Sequence, residues 1–239
     1  MGFFEKLFPG SPRSASGYYK RAQTWGAKGE HAKAIADFTE AIRLDPAYAD
    51  AIYVRGLAYE QTGDYDLALT DFEQVFQLEP RIIQGTEWEI AQEGVNRDIA
   101  RLSVKRGVAR YGRGELEHAV ADFTRALSLA PDPITYFERG RTYCLLGRFR
   151  EAIADLTEAS RSNHPSEEFR LHVWLFRGIS YRESGEYQRA LDDFQTALRV
   201  NPQEARGYVE RAKCYRAAGD IEKALCDERK AQEFGPLNS

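Results

Sequence analysis

Cysteine is scarce in this chain, and so is net charge. The three cysteines, Cys144, Cys214 and Cys226, form an odd set with no C-x-x-C spacing. That argues against a disulfide framework or a zinc site and for a reducing, cytoplasmic compartment. The four histidines, His31, His118, His164 and His172, belong to no H-E-x-x-H or Cys/His cluster, so no metal is expected. Phosphate-loop, G-x-G-x-x-G and G-x-S-x-G signatures are missing, and the carboxylates spread along the chain without a distinctive pair. No enzyme activity and no cofactor are expected. A net charge of -4 with a pI near 5.7 gives no general attraction to nucleic acid. No apolar run approaches the roughly 20 residues that span a bilayer, and MGFFEKLFPGSPRSAS lacks the basic start and long apolar stretch of a signal peptide.

What is present is repetition. Residues 34–46 read AIADFTEAIRLDP, and residues 119–131 read AVADFTRALSLAP. Searched loosely, the pattern recurs in six copies, each centred on a glycine: Gly29, Gly63, Gly114, Gly147, Gly185 and Gly219. The spacings are 34, 51, 33, 38 and 34 residues. Around each glycine lie two segments with apolar or small residues three and four apart, as at Ala68, Phe72, Val75 and Phe76, which is a helical period. Glycine supplies the turn, and a proline such as Pro46 or Pro202 marks the stop of the second helix. The expected unit is a helix–turn–helix pair that buries one face on its neighbour.

The motif W-x2-L-G-x2-Y…A-x3-F…A…P at a 34-residue period resembles the tetratricopeptide repeat. The second copy carries it as Ile52, Arg55, Gly56, Tyr59, Gly63, Tyr65, Ala68, Phe72, Val75 and Pro80. In the fifth it is Trp174, Arg177, Gly178, Tyr181, Gly185, Tyr187, Ala190, Phe194, Ala197 and Pro202. The resemblance implies an all-α fold, a right-handed α-solenoid of six stacked repeats filling residues 15–236. The repeats are placed at about 15–48, 49–82, 100–132, 133–166, 171–204 and 205–236, with an N-terminal arm at 1–14 and a tail at 237–239.

An arginine stands eight residues before every turn glycine: Arg21, Arg55, Arg106, Arg139, Arg177 and Arg211. An aspartate stands eight residues after it: Asp37, Asp71, Asp122, Asp155, Asp193 and Asp227. Positions equidistant from a turn lie level on facing helices, so each Arg can reach the Asp of its own or a neighbouring hairpin. A pair repeated in every unit is expected to be structural rather than ligand-binding.

The copies also differ. In the last one Glu228 and Gln232 replace apolar residues, which predicts a polar end face for the array. Seventeen extra residues between copies two and three, about 83–99, hold the capping box Thr86-Glu87-Trp88-Glu89. A helix is expected from about Thr86 into copy three, either packing on the array or offering Trp88 to a partner. Before copy five, Ser166 is a predicted N-cap. The arm's FFEKLF, tethered by PGSPRSAS, is expected to pack on the array or to dock elsewhere.

The family resemblance further implies that the first helices line a concave groove that binds a peptide or helix of a protein partner. The groove set is then Tyr53, Leu57, Val108, Tyr111, Phe137, Arg141, Phe176 and Ile179, with Val54, Val104, Ile134 and Leu175 beside them. Lys105, Arg141, Arg182 and Lys213 flank it, implying an apolar ligand with some acidic character. Relatives that clamp chaperone C-termini use Lys and Asn where this chain has Tyr19, Gln23 and Val54, so that partner does not carry over. The expected function is a non-catalytic interaction scaffold. The alternatives are a self-assembling protein, through the inserted helix or the arm, and a regulatory subunit that positions an enzyme.

Overall fold

The structure is a computed structural model that describes residues 14–78, 86–162, 164 and 166–235, with 86–92 described in backbone only. The FFEKLF arm, the Thr86–Glu89 capping box and Trp88 lie outside the described side chains. Among the described residues there are twelve α-helices and no strand. They are α1 (Ala15–Ala27), α2 (His31–Leu44), α3 (Ala49–Thr62), α4 (Tyr65–Leu78), α5 (Thr86–Gly112) and α6 (Leu116–Leu129). They continue as α7 (Pro133–Leu145), α8 (Phe149–Arg161), α9 (Glu167–Glu183), α10 (Tyr187–Val200), α11 (Ala205–Ala217) and α12 (Ile221–Glu233). The fold is an α-solenoid of helix–turn–helix repeats. The inserted segment lengthens the first helix of copy three to 27 residues rather than forming a separate element.

The chain divides into two compact units, residues 1–106 and residues 107–239. In the first unit α1 packs on α2, α2 on α3 and α3 on α4; in the second, α7 to α12 pack in the same sequential way, and α9 also touches both α7 and α11. In the second unit first helices thus lie beside first helices.

Each hairpin turns on its glycine, all six of which have φ between +69° and +83°, where side chains are strained. The helix starts have separate causes. Ser14, Asp132, Ser166 and Asp220 each accept a hydrogen bond from a backbone N–H of the first turn. Pro133 begins α7 where its missing N–H costs nothing.

Both helices of each hairpin contribute to the core, and the second helix supplies its largest side chain in most copies. Phe38, Phe72, Phe123 and Phe194 are fully buried, and in copy four Leu156 takes that place. For Phe72, Phe123, Leu156 and Phe194 the room comes from a glycine in the facing first helix. A Cβ on Gly56 would lie 2.7 Å from the Phe72 ring, one on Gly178 2.7 Å from Phe194, and one on Gly140 2.8 Å from Leu156. In the last copy the phenylalanine position is Glu228, which Arg216 grips with two hydrogen bonds of 2.7 and 2.8 Å on an exposed face. That ion pair makes this face of the sixth hairpin polar.

Candidate functional site

Five arginines of the repeated series bind the aspartate of their own hairpin in a fork. Nε donates to Oδ2 and Nη2 to Oδ1 at 2.6 and 2.7 Å for Arg21–Asp37, 2.9 and 2.7 Å for Arg55–Asp71 and 2.7 and 2.8 Å for Arg139–Asp155. The distances are 2.8 and 2.7 Å for Arg177–Asp193 and 2.7 and 2.8 Å for Arg211–Asp227. In copy three, Asp122 accepts 2.9 Å from Arg110, and Arg106 reaches Asp66. The aspartates are buried. Their hydrogen bonds hold the guanidinium groups of Arg55, Arg139, Arg177 and Arg211 above the usual arginine range. Burial pushes the Asp193 carboxyl up, against the pull of Arg177. The remaining nitrogen of three arginines crosses to the preceding hairpin. Arg55 donates to Thr39, Arg139 to Thr124 and Arg177 to Ser160, at 3.2, 3.0 and 2.9 Å.

The residues expected to line a groove all lie on first helices. In the first unit, the Tyr53 hydroxyl donates 2.7 Å to Asp98, and its ring packs 5.2 Å from Phe72. Burial and the Asp98 hydrogen bond push the phenol up to about 12. Leu57 and Val54 line a cavity of about 370 Å3 between the first two hairpins. In the second unit, Arg141 stacks 4.2 Å over the Tyr111 ring and ion-pairs with Glu138 at 2.6 Å. Burial outweighs that pair and raises the Glu138 carboxyl. Val108 and Ile134 are 42% and 44% exposed. Phe176 meets Phe137 edge-on at 5.8 Å, with Arg206 5.0 Å from its own centroid. Ile179 is half-buried against the cluster of Leu171, Leu175 and Phe194.

Two aromatic and aliphatic positions sit deeper than a groove wall. Phe137 is 9% exposed and belongs to the buried cluster with Leu156, Ala159 and Val173. Leu175, expected beside the groove, is 1% exposed. Both point into the packing between hairpins, so their contribution to any surface is to support Phe176 and its neighbours.

The flanking cations are already engaged. Lys105 donates 2.7 Å to Glu60, which Arg101 also grips through both nitrogens. Arg182 lies 3.1 Å from Glu210 and 2.7 Å from Glu183, and Lys213 donates 2.8 Å to Glu210. Burial tends to raise the Glu60 carboxyl, but the Arg101 and Lys105 hydrogen bonds win and hold it below the ordinary range. Among the described residues no group of three or more His, Cys, Asp or Glu side chains is placed to hold a metal ion. No described helix is long and apolar enough to cross a membrane.

Three tetratricopeptide repeat models match the chain, over residues 27–63, 49–82 and 177–239, on hairpins whose geometry repeats in the other copies. The chain is a tetratricopeptide repeat protein. Among curated relatives, human DnaJ homolog subfamily C member 3 is 28% identical over 124 residues, which are 52% of this TPR chain but only 24% of that protein. A Drosophila melanogaster tetratricopeptide repeat protein 36 homolog is 28% identical over 133 residues, 55% of this chain and 68% of its own length. The TPR chain therefore spans about a quarter of the first of these relatives. Among solved structures, YrrB, described as a TPR protein with an unusual peptide-binding site, superposes with a TM-score of 0.59 at 18% identity, covering 84% of this chain and 93% of YrrB. MamA superposes with a TM-score of 0.55 at 18% identity, covering 75% and 93%. At such identities the likeness is one of fold.

Glu60, Asp98, Arg101, Glu138 and Glu210 were not singled out from sequence, although they set the charge of the TPR first helices. The available signal was positional. Three residues before each turn glycine the copies carry Gly26, Glu60, Tyr111, Cys144, Arg182 and Arg216, a column that never repeats within the first five.

Proposed function

We propose that this TPR protein is a non-catalytic interaction scaffold whose first helices bind an extended or helical peptide of a protein partner. One observation carries the reading. Along the first helices of the second unit, Val108, Ile134 and Leu145 are 42%, 44% and 58% exposed, in a stretch that also holds the Arg141–Tyr111 stack. Aliphatic surface with an aromatic and an arginine is the composition of a protein interface core. Arg141, Arg182 and Lys213 are paired with Glu138 or Glu210. A strongly acidic ligand would have to displace a carboxylate that is already there, so a mainly apolar peptide fits better. The free thiols Cys144, Cys214 and Cys226 suit a reducing, cytoplasmic setting.

The test is selection of a displayed dodecapeptide library on the full chain, followed by binding of the enriched peptides to Val108→Glu and to Tyr111→Ala with Arg141→Ala. Enrichment of aliphatic and aromatic residues, with binding lost in both variants while helicity and melting are retained, is the expected result. Enriched peptides that bind both folded variants unchanged would remove the first helices of the second unit as the site.

A further inference from the structure

The features that make the hairpins alike cannot tell one hairpin from another. The turn glycine, the fork and the bond from arginine to a preceding hydroxyl recur along the chain. A second helix built this way can receive the first helix of several different copies. Stacks of similar units are prone to joining in the wrong order while they fold, within a chain or between chains. Order has to come from side chains that differ between copies and meet across a step.

Two columns of the first helices have that character. Three residues before the turn glycine, copies two to five carry Glu60, Tyr111, Cys144 and Arg182. Nine before it, copies three to six carry Lys105, Glu138, Phe176 and Glu210. Each member of the first column reaches the first helix of the following copy. Glu60 accepts 2.7 Å from Lys105 and is also gripped by Arg101. Tyr111 lies 4.2 Å under Arg141, which Glu138 holds. Cys144 Sγ sits 3.0 Å from the Ser180 hydroxyl and 3.8 Å from the Phe176 carbonyl oxygen. Arg182 pairs with Glu210 at 3.1 Å.

The two charged steps run in opposite senses. From copy two to copy three an acid meets bases, and from copy five to copy six a base meets an acid. Exchanging neighbours would therefore set Glu60 against Glu210, or Arg182 against Arg101 and Lys105. Burial gives such an error its weight. Glu60 and Glu210 are each 8% exposed. A buried charge set against its like is rejected strongly, whereas an exposed one is screened. The two middle steps differ in bulk, one a tyrosine under an arginine and the other a thiol beside a hydroxyl.

We infer that these columns are an address code: the opposite polarity of the Glu60 and Arg182 steps specifies which hairpin stacks on which and keeps hairpins, of one chain or of neighbouring chains, from joining out of order. The repeated arginine column supplies the join, and the variable pair supplies its order. This goes beyond the scaffold reading and does not rest on it.

Three variants of the full chain, refolded from urea over a range of concentrations, test it. Arg182→Ala removes the pair. Arg182→Glu opposes Glu210 and matches Arg101 and Lys105 of copy three. Arg182→Glu with Glu210→Arg re-forms the pair in reverse, so the neighbour in the same chain is again the nearest match. Size exclusion with light scattering reads the oligomer fraction. Carbodiimide coupling of amines to carboxylates, mapped by mass spectrometry, reports which hairpins meet. In the wild type Lys105 should couple to Glu60. Arg182→Ala should be less stable yet monomeric. Arg182→Glu should give about tenfold more oligomer than Arg182→Ala and couple Lys105 to position 182, and the paired reversal should return it to monomer. A purely structural role would leave the Arg182→Ala and Arg182→Glu chains alike in oligomer fraction. The code fails if Arg182→Glu stays as monomeric as Arg182→Ala, if its Lys105 couples only to Glu60, or if the paired reversal remains oligomeric. Should Arg182→Glu not fold, Glu60→Gln decides. It keeps the shape and removes the repulsion, so oligomer on refolding should rise severalfold over the wild type, and an unchanged fraction overturns the code.

Discussion

Two columns of the repeat, both on the first helices, contrast sharply. Eight residues before the turn glycine every copy has arginine, and in copies one, two, four, five and six it forks onto a buried aspartate. Five residues further on, the first five copies have glycine, glutamate, tyrosine, cysteine and arginine in succession. The first column faces the second helix, where every hairpin presents the same buried carboxylate. The second faces the next first helix, where each step presents something different. Uniformity follows from packing that every copy must solve alike, and variety marks the surface on which copies are free to diverge.

Breaking the uniform column should have the largest effect. Asp71→Ala leaves the Arg55 guanidinium, whose side chain is 15% exposed, without its partner, and should cost about 3–5 kcal/mol in urea unfolding. An effect under about 1 kcal/mol would show that the fork is solvated and that the contrast between the columns is not one of burial.

Next comes the close approach of the two helices. Gly178→Ala places a methyl 2.7 Å from the Phe194 ring and should lower stability by about 1–3 kcal/mol, read by thermal melting. Copy one sharpens the comparison, because Ala22 stands fully buried at the matching place beside Phe38. Ala22→Gly should therefore bring no gain.

In the variable column, Glu60 gives a smaller, pH-dependent effect. Its carboxyl lies below the ordinary value of 4.5 in the folded chain. The stability it supplies is therefore present above that value and is lost as pH falls through the lower, folded-state value. Glu60→Gln should flatten the acid limb of a stability–pH curve and change little in the shape of the neutral plateau. The smallest change is expected from Arg216→Ala, since it and its partner Glu228 form an exposed pair; melting should stay within the scatter of repeat measurements.

The parts of this fold that could be read from sequence are those with a repeated cause. The turn glycines, the aspartate that mirrors each arginine and the phenylalanine or leucine against each close-packed helical glycine recur at fixed offsets, so one copy explains the others. The Glu60–Arg101–Lys105 cluster and the Cys144–Ser180 contact each occur once and join residues 41, 45 and 36 positions apart. No period predicts them. Burial on the first helices was equally hard to read. Phe137 and Phe176 look alike in a helical pattern, yet one lies within the interhairpin cluster and the other lies partly outside it, under Arg206. A turn of helix separates wall from core there, and the hydrophobicity of the letters does not.

The arginines that reach back to Thr39, Thr124 and Ser160 carry a consequence for how such a chain can grow. Each of these three hairpins brings its own clasp for the hairpin before it and needs from that neighbour only a hydroxyl on the second helix. A duplicated copy therefore arrives already equipped to join either of its siblings. Lengthening the array by one unit leaves this clasp intact and asks for change only in the side chains that meet between neighbouring first helices.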